Sequence, residues 1–183
     1  MSALPLRIVE ADDSPATLAR IRELFEEYAR DLGHDLAFQD FATELATLPG
    51  KYAPPGGAIL VAAAGALATS GACDPREPDR VSADLVAGCV ALRPLGDPAA
   101  RNAEMKRLWV RPAWRRAGLG RRLAEAIVER ARQLGYGRIR LDTLASMTPA
   151  LALYRSLGFR EIPPYYPNPL PDVVYLEKTL WPS

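Results

Sequence analysis

The chain has 183 residues, of which 49% are hydrophobic and 25% charged, a balance that sustains a packed core and excludes disordered, collagen-like and fibrous classes. Lysine plus arginine (23) nearly equals aspartate plus glutamate (22), so no overall field draws the molecule to nucleic acid or to an anionic membrane. Cys73 and Cys89 are too few for a disulfide scaffold, no CxxC or Cys/His cluster suggests a metal, and neither a signal-peptide pattern nor an apolar run of about 18 residues is present, so one soluble, cytoplasmic domain over 1–183 is expected.

Residues 6–11 (LRIVEA) predict a first strand, and Ser14-Pro15 offers an N-cap with proline in the first turn. Leu18, Ile21, Leu24, Phe25, Tyr28 and Leu32 recur at helical spacing as far as Gly33, which predicts a helix over 15–32. Phe38, Phe41, Leu45 and Leu48 predict a second short helix closed by Pro49-Gly50. The apolar run 58–64 (AILVAAA) predicts a buried strand, 65–83 a surface loop and 84–93 a further strand, with a turn at Pro94, Gly96 and Pro98. Residues 102–110 (NAEMKRLWV) predict a strand ended by Arg111-Pro112. From Gly118 to about Leu134, the stripe Leu119, Leu123, Ile127, Ala131 and Leu134 predicts a long helix closed by Gly135. RIRLDTL (138–144) predicts a strand and 148–157 a helix stopped by Gly158. Strands at about 159–163 and 173–180 enclose the loop PYYPNPLPD. This order gives a mixed α/β fold with antiparallel and crossover connections.

Charge is balanced overall but not locally. Residues 1–50 hold ten acids against four arginines, and residues 101–140 hold twelve bases against three acids. The segment RPAWRRAGLGRRL (111–123) joins a predicted strand to an amphipathic helix, and its chemistry suits a diphosphate. A helix N-terminus leaves backbone N–H groups unpaired and carries partial positive charge. Gly118 and Gly120 let the main chain approach a ligand closely, while Arg115, Arg116, Arg121 and Arg122 surround it with positive charge. A Walker loop is excluded because Arg121-Arg122 follows Gly120, and a dinucleotide fingerprint because position 123 is leucine.

Arg115-x-x-Gly118-x-Gly120, preceded by LWVRP and followed by an amphipathic helix, resembles the acetyl-CoA signature of the GNAT superfamily of N-acetyltransferases. A second segment, ALALYRSLGF (150–159), resembles the tyrosine-bearing helix of that superfamily, and the two motifs stand in the family's order about 30 residues apart. The resemblance extends from residue 6 to the C-terminus. It implies a mostly antiparallel, twisted sheet flanked by helices, with a splayed central strand pair.

Residue by residue, the resemblance implies that Leu108, Trp109 and Val110 pair with the pantetheine arm of acetyl-CoA. It implies that Arg115, Arg116, Ala117, Gly118, Leu119, Gly120 and Arg121 hold the pyrophosphate, and that Tyr154 lies close to the thioester sulfur. A primary amine with a pKa near 10.4 must lose a proton before it attacks, so a base is required. Glu104 is the candidate, because strand alternation puts Glu104, Lys106, Leu108 and Val110 on one face. Its other reading is a surface glutamate paired with Lys106 or Arg107, and Asp142 stands as the reserve base. The Val110 N–H is the expected donor to the oxyanion of the tetrahedral intermediate, and the Tyr154 hydroxyl the donor to the leaving thiolate. Met147 stands where many relatives place an asparagine.

The acceptor expected from the resemblance is a small-molecule or peptide amine, framed by Tyr28, Phe38, Gln39, Tyr52, Tyr165, Tyr166 and Asn168. The acidic N-terminal half favours a cationic amine. No metal, nucleic-acid or membrane partner is expected, and a homodimer is compatible with the reading. A non-catalytic CoA-binding module of the same fold is the alternative. A nucleic-acid-binding protein built on the arginine-rich segment is disfavoured by the net charge.

Overall fold

The computed structural model describes residues 6–64 and 86–181. The predicted loop 65–83, which contains Cys73, and the first two residues of the strand predicted at 84–93 lie outside the described residues.

In chain order the elements are β1 (Leu6–Glu10), α1 (Pro15–Leu32), α2 (Phe41–Ala46), β2 (Ala58–Ala64), β3 (Val86–Leu95), β4 (Asn102–Val110), α3 (Leu119–Gln133), β5 (Arg138–Leu144), α4 (Thr148–Ser156), β6 (Arg160–Ile162) and β7 (Val173–Thr179). The described strands form one sheet in the order β1-β2-β3-β4-β5-β7-β6. Its pairs are antiparallel except β4 with β5, the parallel pair at the centre. The sheet carries α3 and α4 on one face and α1 and α2 on the other, because strand alternation sends apolar side chains both ways. Leu60, Val90, Leu92 and Met105 pack with Leu123, Ile127 and Leu151. Ile59, Val61, Cys89 and Trp109 pack with Ile21, Leu24 and Phe25.

The ends of α1 follow from local chemistry. The Ser14 hydroxyl accepts from the Thr17 amide, Asp12 accepts from Ser14 in turn, and Gly33 closes the helix at φ 69°. The second predicted helix is instead two pieces. A 3-10 turn at Ala37–Gln39 opens where Asp35 accepts from the Ala37 amide, and Asp40 at φ 57° breaks it from α2. Hydrophobic spacing does not register such a break, because Phe38 and Phe41 keep their three-residue interval across it. The turn predicted at Pro94 begins later, since β3 runs on to Leu95. Pro94 lies beyond the last β2 partner, at Ala58↔Leu92, where one edge of β3 is open and a missing N–H costs no ladder bond.

The local charge imbalance is met in part internally. Acids of the N-terminal segment pair with bases of the 101–140 segment: Glu44 with Arg107, Glu27 with Arg111, Asp31 with Arg115 and Glu10 with Arg130, all at 2.8–3.2 Å. The first pair is buried, with side-chain exposures of 1% and 6%, and Arg107 also lies over the rings of Tyr28 and Phe41 at 5.5 and 5.0 Å. Removing one member leaves the other charge without a partner. Glu44→Ala therefore costs about 3–5 kcal/mol in urea denaturation, whereas Asp31→Ala, which breaks a half-exposed pair, costs less than about 1 kcal/mol.

Candidate functional site

β4 and β5 are held together over only three positions, Asn102↔Arg138, Ala103↔Ile139 and Glu104↔Arg140. Past them the strands part, as expected of a splayed pair, and a cavity of about 100 Å³ opens between Lys106, Arg107 and Leu108 on one side and Asp142, Thr143 and Leu144 on the other. Tyr28 and Gln39 close it from the α1–α2 face, and Met147 and Tyr154 from α4.

A β-bulge in β4 sets which groups face the opening. The register with β3 slips between Cys89↔Trp109 and Ala91↔Lys106, and Arg107 sits at φ 57°. The extra residue reverses the alternation. Ala103 and Met105 face the α3 side and Glu104 the opposite side, whereas beyond the bulge Leu108 and Val110 face α3 and Trp109 faces α1. The expectation that Glu104, Lys106, Leu108 and Val110 share one face is thus corrected, since period-two alternation cannot survive an inserted residue. The bulge needs a close approach at β3: a Cβ on Gly88 would strike the Trp109 carbonyl.

The backbone bond from Arg111 N–H to the Ala87 carbonyl fixes the ladder at the end of β4. Alternation then turns the Val110 N–H away from β3, toward the side that β5 has left. The Val110 carbonyl accepts from Arg115 Nε at 2.9 Å. Trp109, by contrast, is directed to β3 through its backbone and to α1 through its indole, which approaches Glu27 at 3.3 Å.

The glycine-containing turn stands at the same end of β4. Arg116 and Gly118 adopt φ 68° and 73°, and α3 begins at Leu119 with Gly118 as its N-cap. The Arg115 amide is already donated to Pro112, whereas the first bond closing α3 runs from Arg122 N–H to Gly118 C=O, leaving the amides of Leu119, Gly120 and Arg121 without a helical partner. The arginines divide in use. Arg115 stacks on the Trp109 ring at 4.5 Å and pairs with Asp31. Arg121 donates to Ser156 and reaches Glu125, and Arg122 donates to the Leu6 carbonyl. Arg116, next to Ala117, is exposed and bonded to no other described side chain. Gly120 has an ordinary negative φ, and a Cβ there would meet only Val110 Cγ2, at 3.9 Å. The protein's own packing therefore does not require glycine at 120.

Tyr154 is 7% exposed, lies edge-on to Phe159 at 5.8 Å and lines the cavity. Burial pushes its phenol up, reinforced by the negative charge of Asp142, so its hydroxyl stays protonated and is a donor at neutral pH. Glu104 is completely buried and does not line the cavity. Arg93 contacts its Oε2 through Nε and a terminal nitrogen, both at 2.6 Å, and the Tyr165 hydroxyl donates to its Oε1 at 2.9 Å. Asp142 does line the cavity. It is held by Lys106 Nζ at 2.9 Å and by the Tyr166 hydroxyl at 2.9 Å. Burial alone would raise its pKa, but the Lys106 charge and these hydrogen bonds outweigh that, and the carboxyl titrates below its ordinary 3.8.

Of the residues expected to frame an acceptor, Tyr28 and Gln39 reach the cavity, and Tyr166 and Asn168 stand behind Asp142. Tyr52 does not: it is a core residue, 2% exposed, packed edge-on to Phe25. Of the partners expected for a surface Glu104, Lys106 lies 3.8 Å away, but the carboxylate is buried and its close partner is Arg93, which only strand register brings opposite it. Among the described residues no group of acidic, histidine or cysteine side chains could hold a metal, and no helix is long and apolar enough to cross a membrane.

The sheet is thus mixed and parted at its parallel pair, with a helix N-terminus set at the parted end. The chain belongs to the acetyltransferase (GNAT) family, whose model matches residues 20–159. An uncharacterized N-acetyltransferase of Schizosaccharomyces pombe is 39% identical to it over 168 residues, covering 92% of this chain and 91% of the relative. A GNAT-family acetyltransferase of Staphylococcus aureus superposes with a TM-score of 0.68 at 18% identity over 97% of this chain and all of the other. An acetyltransferase of Salmonella typhimurium, solved with acetyl-CoA, superposes with a TM-score of 0.59 at 20% identity over 96% and 94%.

Because the folded Asp142 carboxyl titrates below its ordinary value, it stabilises the fold above that value and the contribution is lost as pH falls through the folded pKa. Chemical denaturation from about pH 5 down to about pH 3 is expected to show a shallower loss of stability in Asp142→Asn than in the wild type.

Proposed function

We propose that the protein transfers the acetyl group of acetyl-CoA to an amine acceptor by direct attack, with both substrates held in the parted β4–β5 edge. The observation that carries this reading is Gly120, a helical glycine that neither φ nor packing demands, at an N-terminus whose amides lack helical partners. Glycine there costs the isolated helix up to about 1 kcal/mol relative to alanine. The cost is offset if a diphosphate must approach the amides of Leu119, Gly120 and Arg121, with Arg116 as the exposed cation beside it.

Acetyl-CoA supplies an activated acyl carbon and a thiol leaving group. The chain's residues do the rest. Leu108 and Val110 border the opened edge, where the Val110 N–H can donate to a carbonyl oxygen as charge builds on it. Trp109 serves from behind, supporting the turn through Arg115. The Tyr154 hydroxyl donates to the departing sulfur; with its pKa raised, it stabilises that charge as a hydrogen-bond donor. Asp142 takes the place facing the acceptor, and Glu104, fully engaged with Arg93 and Tyr165, positions Lys106 and the β6–β7 loop. With its pKa lowered, Asp142 attracts the ammonium and passes its proton to water rather than keeping it. The cytoplasm supplies acetyl-CoA, and a small or peptide amine is the acceptor class.

Thiol release from acetyl-CoA over a panel of amines, with the product identified by mass, tests the reading; binding of the cofactor with no thiol release for any acceptor would reduce the protein to a CoA-binding module. Gly120→Arg is expected to weaken acetyl-CoA binding at least tenfold in calorimetry while the protein stays folded, since only Val110 Cγ2 lies near. Tyr154→Phe is expected to lower kcat about a hundredfold with little change in acetyl-CoA affinity, as measured in steady state.

A further inference from the structure

At neutral pH an alkylamine is an ammonium, and its acetylation leaves a proton over. An ammonium and acetyl-CoA give an N-acetyl amide, a thiol and one free proton. The nitrogen lone pair forms the N–C bond, the C–S electron pair leaves on sulfur, and sulfur takes up one of the two protons that nitrogen loses. The other has to reach water from the acceptor side. Asp142 does not retain it, because Lys106 and the Tyr166 hydroxyl hold its carboxyl below the ordinary 3.8. Glu104 is fully buried and does not line the cavity.

Besides Asp142, the side chains with exchangeable protons that line the cavity are Tyr28, Gln39, Lys106, Arg107, Thr143 and Tyr154. Most are committed. Lys106 is bound to Asp142, Arg107 to Glu44, the Gln39 amide to the Tyr166 hydroxyl at 3.4 Å and the Thr143 hydroxyl to Met147 Sδ at 3.6 Å. The two phenols remain, on opposite faces of the sheet. Tyr154 packs with Phe159 on the α3–α4 face. Ile139 and Leu141 point to that same face, so alternation along β5 turns Asp142 to the other one, from which Tyr28 reaches the cavity. Tyr28 and Asp142 are also the groups whose negative charge would oppose ionisation of Tyr154, which sets the three oxygens round one opening. The Tyr28 ring has structural work, edge-on to Trp109 at 6.4 Å and beneath the Arg107 guanidinium at 5.5 Å. Its hydroxyl has none: it bonds to no described residue and is not sealed in by protein. Tyr136, Tyr165, Tyr166 and Tyr175 all give their hydroxyl protons to protein acceptors.

We propose that Tyr28 is a catalytic residue: its hydroxyl accepts the surplus proton of the acceptor ammonium while passing its own proton to water. This rests on the acetyl-transfer reading above and supplies the route to water which that reading needs. The phenol is neutral before and after, so the step requires no phenolate. Asp142 holds the ammonium and Tyr28 drains it. The charges around the phenol are Arg107, matched by Glu44, and Asp142, matched by Lys106, so the relay works in a locally balanced field. An amine that arrives already neutral has no surplus proton, since the one its nitrogen loses is matched by the one sulfur gains.

The test compares Tyr28→Phe with the wild type, using acetyl-CoA and whichever of benzylamine, tyramine, spermidine and alanylglycine releases thiol fastest. Phenylalanine keeps the ring against Trp109 and Arg107, so melting temperature and acetyl-CoA affinity are expected to stay unchanged. At about pH 6, where the amine is almost wholly ammonium, kcat/KM is expected to fall roughly ten- to hundredfold. At about pH 9.5 the free base is at least about a hundredfold more abundant, and the loss is expected to shrink to within about threefold. No loss at the lower pH, or an equal loss at both, overturns the inference. A relay through a hydroxyl moves two protons together, so the wild-type rate at the lower pH is expected to curve with the deuterium fraction of the solvent. A straight line overturns the inference even if the variant does not fold. Failure of the acetyl-transfer reading looks different: no thiol release from the wild type with any acceptor.

Discussion

The site depends on the parting of β4 from β5. Backbone groups in a sheet interior are normally consumed by the neighbouring strand, and an edge is normally a liability. Here an edge is created inside the sheet after three paired positions. Side chains still tie the two strands across it. The Lys106–Asp142 ion pair bridges them just beyond the last backbone pair, and the cavity opens around it. The bulge at Arg107 turns the following residues so that Val110 presents its N–H to the gap.

That opening is buttressed by charge. The buried Arg107–Glu44 pair, with Tyr28 and Phe41 against the guanidinium, ties the bulge to α2. Arg111 with Glu27 and Arg115 with Asp31 tie the end of β4 and the turn that follows to α1. Tyr165 and Tyr166 reach from the β6–β7 loop to Glu104 and Asp142, packed on each other and on Tyr175 with centroids 5.2–5.6 Å apart. A basic segment that read as a large anion site is therefore mostly a set of internal partners. In the proposed reading, the share left for a ligand narrows to the amides at the start of α3 and Arg116.

This division changes how the acceptor is read. Acid count in the N-terminal half argued for a cationic amine by general attraction, yet Glu10, Glu27, Asp31 and Glu44 are each neutralised by an arginine. Asp142, a residue of the C-terminal half, is the carboxylate that lines the cavity.

Much was legible in the amino-acid sequence. The bounds of α1, β2, β4 and β5, the start of α3 after Gly118 and the placement of Tyr154 on a short helix follow from periodicity, caps and glycines, because these are local preferences over a few neighbouring residues. The two motifs and their order also pointed to the family. What only the tertiary structure decided depends on register and on distant partners: the bulge that moved Glu104 off the face of Leu108 and Val110, the burial of Glu104 against Arg93, and the pairing of Glu44 with Arg107 across 63 positions of chain. A one-residue insertion in a strand leaves no mark on composition, and a charged residue in sequence does not show whether its counter-ion is solvent, ligand or the protein itself. Those choices are made when the strands align.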